Sequence, residues 1–224
     1  MAGFDQYGPK AVLGQGTADG NGNITGWVTI NENGTIYQKV PFSATYTVKK
    51  NCTGSMTITM PGLPVRTENF FLHDDKRSAY TIRTDGGVES GVIVAQGDAT
   101  CGMHQRKRIY AENASGVCQL CGPPPVQATW AGQDILDGNG NASGTITLSL
   151  GGTTDKQPIT GTYSENADCT GTAVVQPAGG YLPATFSYVV VNGGKEMLKI
   201  ETDANMTMSE ILQQLNTRED GDDR

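Results

Sequence analysis

The strongest constraint on how this chain folds is a long internal repeat. Residues 19–54 read DGNGNITGWVTINENGTIYQKVPFSATYTVKKNCTG, and residues 137–171 read DGNGNASGTITLSLGGTTDKQPITGTYSENADCTG. The two copies start 118 residues apart (137 − 19) and keep the same opening turn and the same Cys-Thr-Gly end. Solenoid units recur at about 20–50 residues, so this spacing is too long for a solenoid. It predicts two homologous small domains, or two halves of one closed structure.

Both copies alternate polar and apolar residues with a period of two, which is typical of β-strands. Residues 24–30 lie between two Asn-Gly-containing turns, as expected for a strand between hairpins. Residues 36–48 predict a strand with an edge position or a bulge near Pro41. Residues 206–215 fit a strand or a capped helix, and the repeat favours the strand. We therefore predict an all-β protein of two antiparallel barrel-like or sandwich-like units, which could pack as one pseudo-twofold body.

The repeat also suggests domain boundaries. We assign residues 1–97 to the first β repeat and residues 125–216 to the second. Between them, residues 98–124 contain three cysteines and end in a proline-rich stretch, which indicates an insertion or a stiff linker. Residues 217–224 form an acidic end that we expect to be disordered.

Charge and hydropathy exclude two classes of partner. The formal net charge is −7, and the one basic run is Arg106-Lys107-Arg108, so binding to nucleic acid is not expected. No apolar stretch reaches the roughly 18–20 residues that span a bilayer as a helix. The amino-terminal residues do not have the profile of a signal peptide, which is consistent with a leader that has been removed.

The most specific local motif is a pair of Cys/His clusters in residues 98–124. The spacing matches a structural zinc site with four soft ligands, which would suit a reducing, cytoplasmic compartment. The alternative is that the cysteines form disulfides with one another or with Cys52 and Cys169, which would indicate an oxidising compartment. Five cysteines leave at least one thiol unpaired within the chain. No other cofactor is expected. The four candidate zinc ligands are Cys101, His104, Cys118 and Cys121.

The two Asp-Gly-Asn-Gly-Asn segments resemble the opening of a calcium-binding loop. The match ends after five residues, because Ile30 and Leu148 stand where such a loop needs a bidentate glutamate. One carboxylate per loop also provides little charge for a cation. We predict hairpin turns at both positions.

The sequence contains no familiar nucleophile motif and only two histidines, so catalysis would depend on carboxylates, tyrosine, arginine and a shaped cavity. A site specific to one copy should lie where the copies differ. Arg66 and Glu68 share one strand face with Phe70 and Leu72, which suggests a ligand wall with acid/base capacity. The alternative is an exposed polar edge strand that resists aggregation. The candidate catalytic residues are Glu68, Arg66, Tyr80, His73 and Arg83.

The order of the repeated motifs, followed by Phe-x-x-Val-Val-Val-Asn-Gly-Gly-Lys-Glu at 186–196 and Ile-x-Thr-Asp at 200–203, resembles a widespread group of uncharacterised, mostly exported bacterial proteins. The resemblance covers both copies but not the insertion. It implies an extracellular or periplasmic location and disulfide-bonded cysteines, and it implies no reaction.

The series of short antiparallel strands with glycine-rich turns is also similar to calycin barrels and to allene-oxide-cyclase or dirigent barrels. Such barrels enclose small apolar ligands, and some guide cyclisation without a cofactor. We therefore expect a small-molecule-binding barrel, with a cofactor-independent cyclase or isomerase as its catalytic form.

Two further functions stay open at this point. One is a noncatalytic exported module for surface or carbohydrate interaction, and the other is a zinc-held docking element. A wide interior lined by aromatic and a few charged groups favours ligand binding. A filled core with aromatic residues grouped outside favours the exported interaction module. The oligomeric state is left open by the sequence.

Overall fold

The computed structural model describes residues 1–75, 77–96, 101 and 106–215. These residues form sixteen β-strands in two closed barrels of eight strands each. The first barrel consists of β1 (Ala2–Asp5), β2 (Gly8–Ala18), β3 (Asn23–Glu32), β4 (Thr35–Val48), β5 (Thr53–Thr59), β6 (Arg66–Leu72), β7 (Ser78–Arg83) and β8 (Val88–Val94). The second consists of β9 (Arg108–Cys118), β10 (Val126–Leu136), β11 (Asn141–Leu150), β12 (Thr153–Glu165), β13 (Thr170–Pro177), β14 (Ala184–Val191), β15 (Glu196–Glu201) and β16 (Met206–Gln214).

Both barrels have the same simple topology. Each strand pairs antiparallel with the next strand along the chain, and the last strand pairs back with the first. Closure leaves no exposed sheet edge, which removes the main aggregation hazard of β proteins. The predicted all-β fold with two homologous barrel units is therefore confirmed. Among the described residues, no helix has the length and apolar character needed to cross a membrane.

The boundary predicted for the second unit needs a correction. Strand β9 lies inside residues 98–124, which we had assigned to a linker, yet it pairs along its whole length with β10 and also with β16. The second barrel therefore starts at Arg108 and not at residue 125. The repeat gave no warning because the equivalent strand β1 is only four residues long. The predicted disordered end, 217–224, lies outside the described residues.

The two Asp-Gly-Asn-Gly-Asn segments form the hairpin turns that we predicted. In the first, Asp19 Oδ1 accepts hydrogen bonds from the backbone amides of Asn21 and Asn23, and its Oδ2 accepts one from the Asn23 side chain. Asp137 makes the same contacts in the second copy. The Asn23 side chain and these amides lower the pKa of Asp19. The carboxylates thus hold their own turns.

Two local strand predictions are also confirmed. Residues 206–214 form a strand, as the repeat suggested. In β4, the pairing with β3 shifts between Val28 and Ile30, and the nearby Lys39 has a positive φ of 49°. This irregularity lies two residues before Pro41, close to the predicted bulge.

One glycine in each copy fixes how the barrels correspond. Gly54 pairs with Phe70, and a Cβ there would lie 2.1 Å from the ring. Gly171 pairs with Tyr188, and a Cβ there would lie 2.2 Å from that ring. Only glycine leaves room for an aromatic ring at this point of the interior. Phe70 and Tyr188 are therefore equivalent positions.

The barrels pack against each other through β2 of the first and β14, β15 and β16 of the second. Ala11 and Leu13 on the outer side of β2 form a buried apolar cluster with Val189, Val191 and Ile200. This contact between outer faces joins the two barrels.

Asn31, which is completely buried, adds polar contacts to that interface. Its side-chain amide donates to the backbone carbonyls of Glu201 and Met206, at 2.9 and 2.8 Å. Its Oδ1 accepts from the Thr207 hydroxyl at 2.9 Å. These partners lie at the β15–β16 connection, at one end of the second barrel.

Candidate functional site

The first barrel places Arg66 and Glu68 inside, on the one strand face that alternation predicted they share. The Arg66 guanidinium lies 3.2 Å from Glu68 Oε1 and 2.6 Å from Glu89 Oε2. The Thr81 hydroxyl donates to Glu68 at 2.6 Å, and Arg83 pairs with Glu89 at 2.5 Å. The alternative of an exposed edge strand is wrong, because both side chains are at most 4% exposed. These charges pair with one another inside the barrel, although Arg66 Nε has no hydrogen-bond partner among the described residues.

The other two predicted catalytic residues lie outside the barrel. Tyr80 is 59% exposed, and its ring packs edge-on against His73 with 4.6 Å between the ring centroids. Alternation along β7 points Thr81 inward and therefore Tyr80 outward. The five predicted residues do not form one constellation, because the barrel wall separates this pair from Arg66, Glu68 and Arg83.

The three cysteines of the predicted zinc cluster are all bonded in disulfides. Cys101 is bonded to Cys169, and Cys118 is bonded to Cys121. Sulfur atoms in disulfides are not thiolates and cannot serve as ordinary zinc ligands. The fourth predicted ligand, His104, lies outside the described residues. Cys52 is a free thiol.

The second barrel contains a cavity of about 300 Å³. It lies between the middle of the barrel and the end formed by the β9–β10, β11–β12, β13–β14 and β15–β16 connections. A volume of this size falls at the lower end of the range for small-molecule sites. Its wall is mainly apolar and includes Trp130, Ile146, Leu148, Ile159, Val175 and Phe186.

A single pair of equivalent residues explains much of the difference between the interiors. Because Phe70 and Tyr188 correspond, Arg66 in β6 corresponds to Ala184 in β14. Arg66 fills its barrel with a long, buried guanidinium, whereas Ala184 has only a methyl group and lines the cavity. The space that one barrel gives to an ion network is open in the other.

The floor of the cavity carries a buried cluster of charged side chains. The Lys199 ammonium lies 2.8 Å from Glu210 Oε2 and 3.9 Å from Asp134 Oδ2. It also lies 4.5 Å from the centre of the Phe186 ring, a cation–π contact. Glu112 is 6% exposed and borders the same cavity. Gly132 makes room for this glutamate, since a Cβ there would lie 2.9 Å from Glu112 Oε1.

The environment shifts the protonation of this cluster strongly. Burial, a hydrogen bond with Glu210 and the negative charges of Glu210 and Asp134 raise the pKa of Glu112 to about 11. Burial raises the pKa of Asp134 to about 6, although Lys199 opposes the shift. Burial opposes the charge of Lys199, but the surrounding carboxylates outweigh it and raise the lysine's pKa. The floor therefore holds a neutral acid, a carboxyl that titrates near neutrality and a cation.

Several oxygen atoms on this floor have no hydrogen-bond partner in the described structure, although they are buried. They include Glu112 Oε1, Asp134 Oδ1 and Glu201 Oε2. Burying a polar atom without a partner is costly, so such atoms mark a place where a ligand group could be bound. One ammonium group also cannot neutralise all the carboxyl groups around it.

Three carboxyl groups of the floor are the described groups best placed to hold a metal ion. One oxygen each from Glu112, Asp134 and Glu210 lies within 4.8 Å of the others. The Lys199 ammonium already occupies part of this space and supplies positive charge against Glu210. A divalent cation would have to compete with it.

The mouth of the cavity has an apolar rim. Leu120 and Leu182 border the cavity and are 67% and 64% exposed. The Cys118–Cys121 disulfide holds the short loop that carries Leu120. The rim therefore presents apolar side chains to a molecule that enters the barrel.

Sequence reasoning missed this site because it searched the copy with more charged residues. The alternation of β9 and β10 did place Glu112 and Asp134 on the inward, apolar faces of their strands. The inward face of β15 carries Lys199 between Met197 and Glu201 and gives no such signal. An inward-facing charge on β9 and β10 was therefore the available signal. No protein-family model matches the chain, and no curated protein matches it.

Proposed function

We propose that the second barrel binds a small, largely apolar molecule whose one polar end donates hydrogen bonds or carries positive charge. The observation that carries this proposal is the apolar cavity above the Glu112–Asp134–Lys199–Glu210 floor. The cavity wall excludes water from the body of a ligand, and burial of apolar surface provides affinity in proportion to the area covered.

The polarity of the floor supports the choice of head group. The unpartnered atoms are carboxyl oxygens. That of Asp134 accepts hydrogen bonds when ionised, and the neutral Glu112 carboxyl keeps acceptor capacity beside its one O–H donor. An amine or alcohol would donate to them. A ligand carboxylate would meet excess negative charge, and binding it would require further protonation of the floor.

Displacement of a fluorescent probe tests both parts of this proposal. An N-phenylnaphthylamine probe is bound to the native chain and displaced by octylamine, octanol or octanoate, which share one chain length. We expect octylamine to displace the probe at the lowest concentration and octanoate at the highest. Ala184→Phe fills the cavity and should weaken probe binding at least tenfold.

The matched control is Val174→Phe, which adds a ring on the outer side of β13, at a side chain that is 43% exposed. It should bind the probe as the native chain does. Unchanged binding in Ala184→Phe would place the binding site elsewhere and reject the proposal. Equal displacement by octanoate and octylamine would reject the head-group preference alone.

A catalytic role is a second candidate, and the separated pKa values of Asp134 and Glu112 favour it. A carboxylate base and a neutral acid in one water-poor cavity fit a cofactor-independent isomerisation, in which Asp134 takes a proton from carbon and Glu112 gives its proton to another carbon. The proton on Asp134 then passes to Glu112, whose carboxyl oxygen lies within 4.8 Å, and restores both groups. The test is conversion of apolar β,γ-unsaturated ketones to conjugated enones, followed by ultraviolet absorbance.

The expected rate rises as pH passes about 6, because Asp134 must be ionised to act as the base. Asp134→Asn should abolish turnover and keep probe binding. A rate equal to that in buffer alone would leave binding as the function.

We also propose an extracellular or periplasmic location. The two disulfides are compatible with it, because such bonds persist in oxidising compartments. A chain recovered from that compartment should show one free thiol after denaturation, at Cys52. Five free thiols would argue for a reducing compartment.

A further inference from the structure

The interface between the two barrels has an unpaired counterpart on the first barrel. In the second barrel, the outer sides of β14 and β15 carry Val189, Leu198 and Ile200, which pack against β2. Because β14 and β15 correspond to β6 and β7, the first barrel has an equivalent face. None of the described residues of the chain covers that face.

The register identifies the equivalent residues. Phe71 pairs with Tyr80 in the first barrel, and Val189 pairs with Leu198 in the second. By the same alignment, Ile82 corresponds to Ile200. We call Phe71, Tyr80 and Ile82 the outer patch.

The outer patch is apolar and exposed where its counterpart is buried. Phe71, Tyr80 and Ile82 are 50%, 59% and 49% exposed, whereas Val189 and Ile200 are 4% and 1% exposed. Three neighbouring large apolar side chains on one sheet surface are typical of an interaction site. In the second barrel, the equivalent face is covered by the outer side of β2, which is the second strand of the first barrel.

The second barrel has such a strand free. Its β10 corresponds to β2, and the outward residues Thr129, Ala131 and Gln133 correspond to Ala11, Leu13 and Gln15. We call Thr129, Ala131 and Gln133 the β10 face, and all three are exposed.

The sizes of the side chains are complementary in both pairings. Within the chain, the large Leu13 of β2 meets the smaller Val189 and Val191. The β10 face has the small Ala131 where β2 has Leu13, and the outer patch has the large Phe71 where β14 has Val189. The loss of size on the β10 face is thus opposed by a gain on the outer patch.

A polar contact can also be repeated. Gln15 donates from its side chain to the backbone carbonyl of Asp168 at 3.0 Å, across the interface between the barrels. Asp168 precedes Cys169 as Asn51 precedes Cys52. Gln133 would donate to the carbonyl of Asn51 in the same way.

We propose that a second copy of this chain docks its β10 face on the outer patch, and so repeats between chains the barrel–barrel contact that exists within the chain. The contact is head to tail, because each copy contributes a different face on each side. Such contacts build a closed ring or an open filament, depending on the rotation between neighbours.

Sedimentation velocity on the full chain, over a range of concentrations, tests this proposal. The native chain should form species larger than one chain as concentration rises. Ile82→Asp, which damages the outer patch, and Ala131→Arg, which damages the β10 face, should each remain monomeric. Val174→Arg, on the far side of the second barrel, should associate as the native chain does.

Mixing the two monomeric variants gives the sharpest result. Ile82→Asp keeps an intact β10 face and Ala131→Arg keeps an intact outer patch, so an equimolar mixture should form a one-to-one dimer and nothing larger. Recovery of the dimer also shows that both variants fold.

Two outcomes overturn the proposal. A native chain that stays monomeric at all concentrations shows that the outer patch does not bind a second copy. Association of Ala131→Arg by itself shows that outer patches pair with each other, which is a different, two-fold contact.

Discussion

Glu112 is a residue whose protonation departs strongly from that of an ordinary glutamate. Its pKa in the folded chain is about 11, far above that of an exposed glutamate, because it is buried beside other carboxyl groups. Between these two values the unfolded chain has lost the proton and the folded chain keeps it. The contribution of Glu112 to stability is therefore fully present below the pKa of the unfolded chain, and it declines as pH rises toward 11.

This protonation gives a measurable pH dependence. Glu112 should contribute a loss of up to about 1.4 kcal/mol of unfolding free energy per pH unit across pH 5 to 8. In Glu112→Gln, which is neutral and nearly isosteric, the slope of stability against pH should become shallower by up to that amount. Urea unfolding at several pH values measures the slope.

Asp74→Asn, at an exposed position, serves as the matched control and should leave the slope close to that of the native chain. If the Glu112→Gln variant kept the native slope, Glu112 would have to ionise in the folded chain as it does in water. The acid assigned to the cavity floor would then be lost.

At the scale of strands, the two barrels use their interiors in different ways. The strands β6, β7 and β8 of the first barrel enclose an ion network of Arg66, Glu68, Arg83 and Glu89. The equivalent strands of the second barrel leave a cavity. Buried ion pairs are costly to desolvate and still more costly to break.

Arg66→Ala should therefore lower the unfolding free energy by about 3–5 kcal/mol, because it removes the guanidinium paired with buried Glu68 and leaves buried Glu89 with Arg83 alone. Adding Glu68→Phe gives the first barrel two residues that the second has at these positions. The double variant should be more stable than Arg66→Ala alone, since one unpaired carboxylate is removed. Urea unfolding measures both.

A loss below about 1 kcal/mol for Arg66→Ala would contradict this account, because it would mean that water already reaches the network. A double variant less stable than the single one would show that Glu68 is held mainly by Thr81, its hydrogen-bond partner at 2.6 Å.

Elements of this kind are well predicted by the sequence when the signal is local. Alternation identified the face that Arg66 and Glu68 share, and Asn-Gly turns identified the hairpins at Asp19 and Asp137. Whether that face points inward was left open by the local pattern. The cavity could not be predicted in this way. It depends on which inward residues from several strands lie at the same height, for example Trp130 and Phe186, whose rings meet edge-on with 6.2 Å between their centroids, and that height is set by register.

At the scale of the whole molecule, the contact between the barrels was also beyond local prediction. Leu13 and Val189 belong to different barrels, and each lies on an outer face that alternation would assign to solvent. The Asn31 side chain, buried among backbone carbonyls of the other barrel, gave no signal in its own strand. Repetition of sequence predicted two units but not the faces by which they pack.

The consecutive pairing of strands has a consequence for synthesis on the ribosome. Every strand of the first barrel finds its partners before the chain has reached β9, so this barrel can close while the second is still being translated. Ala11 and Leu13 then stand on a finished surface as β14 and β15 emerge. Because the first barrel precedes the second in the chain, it can present this docking surface before the second barrel has closed.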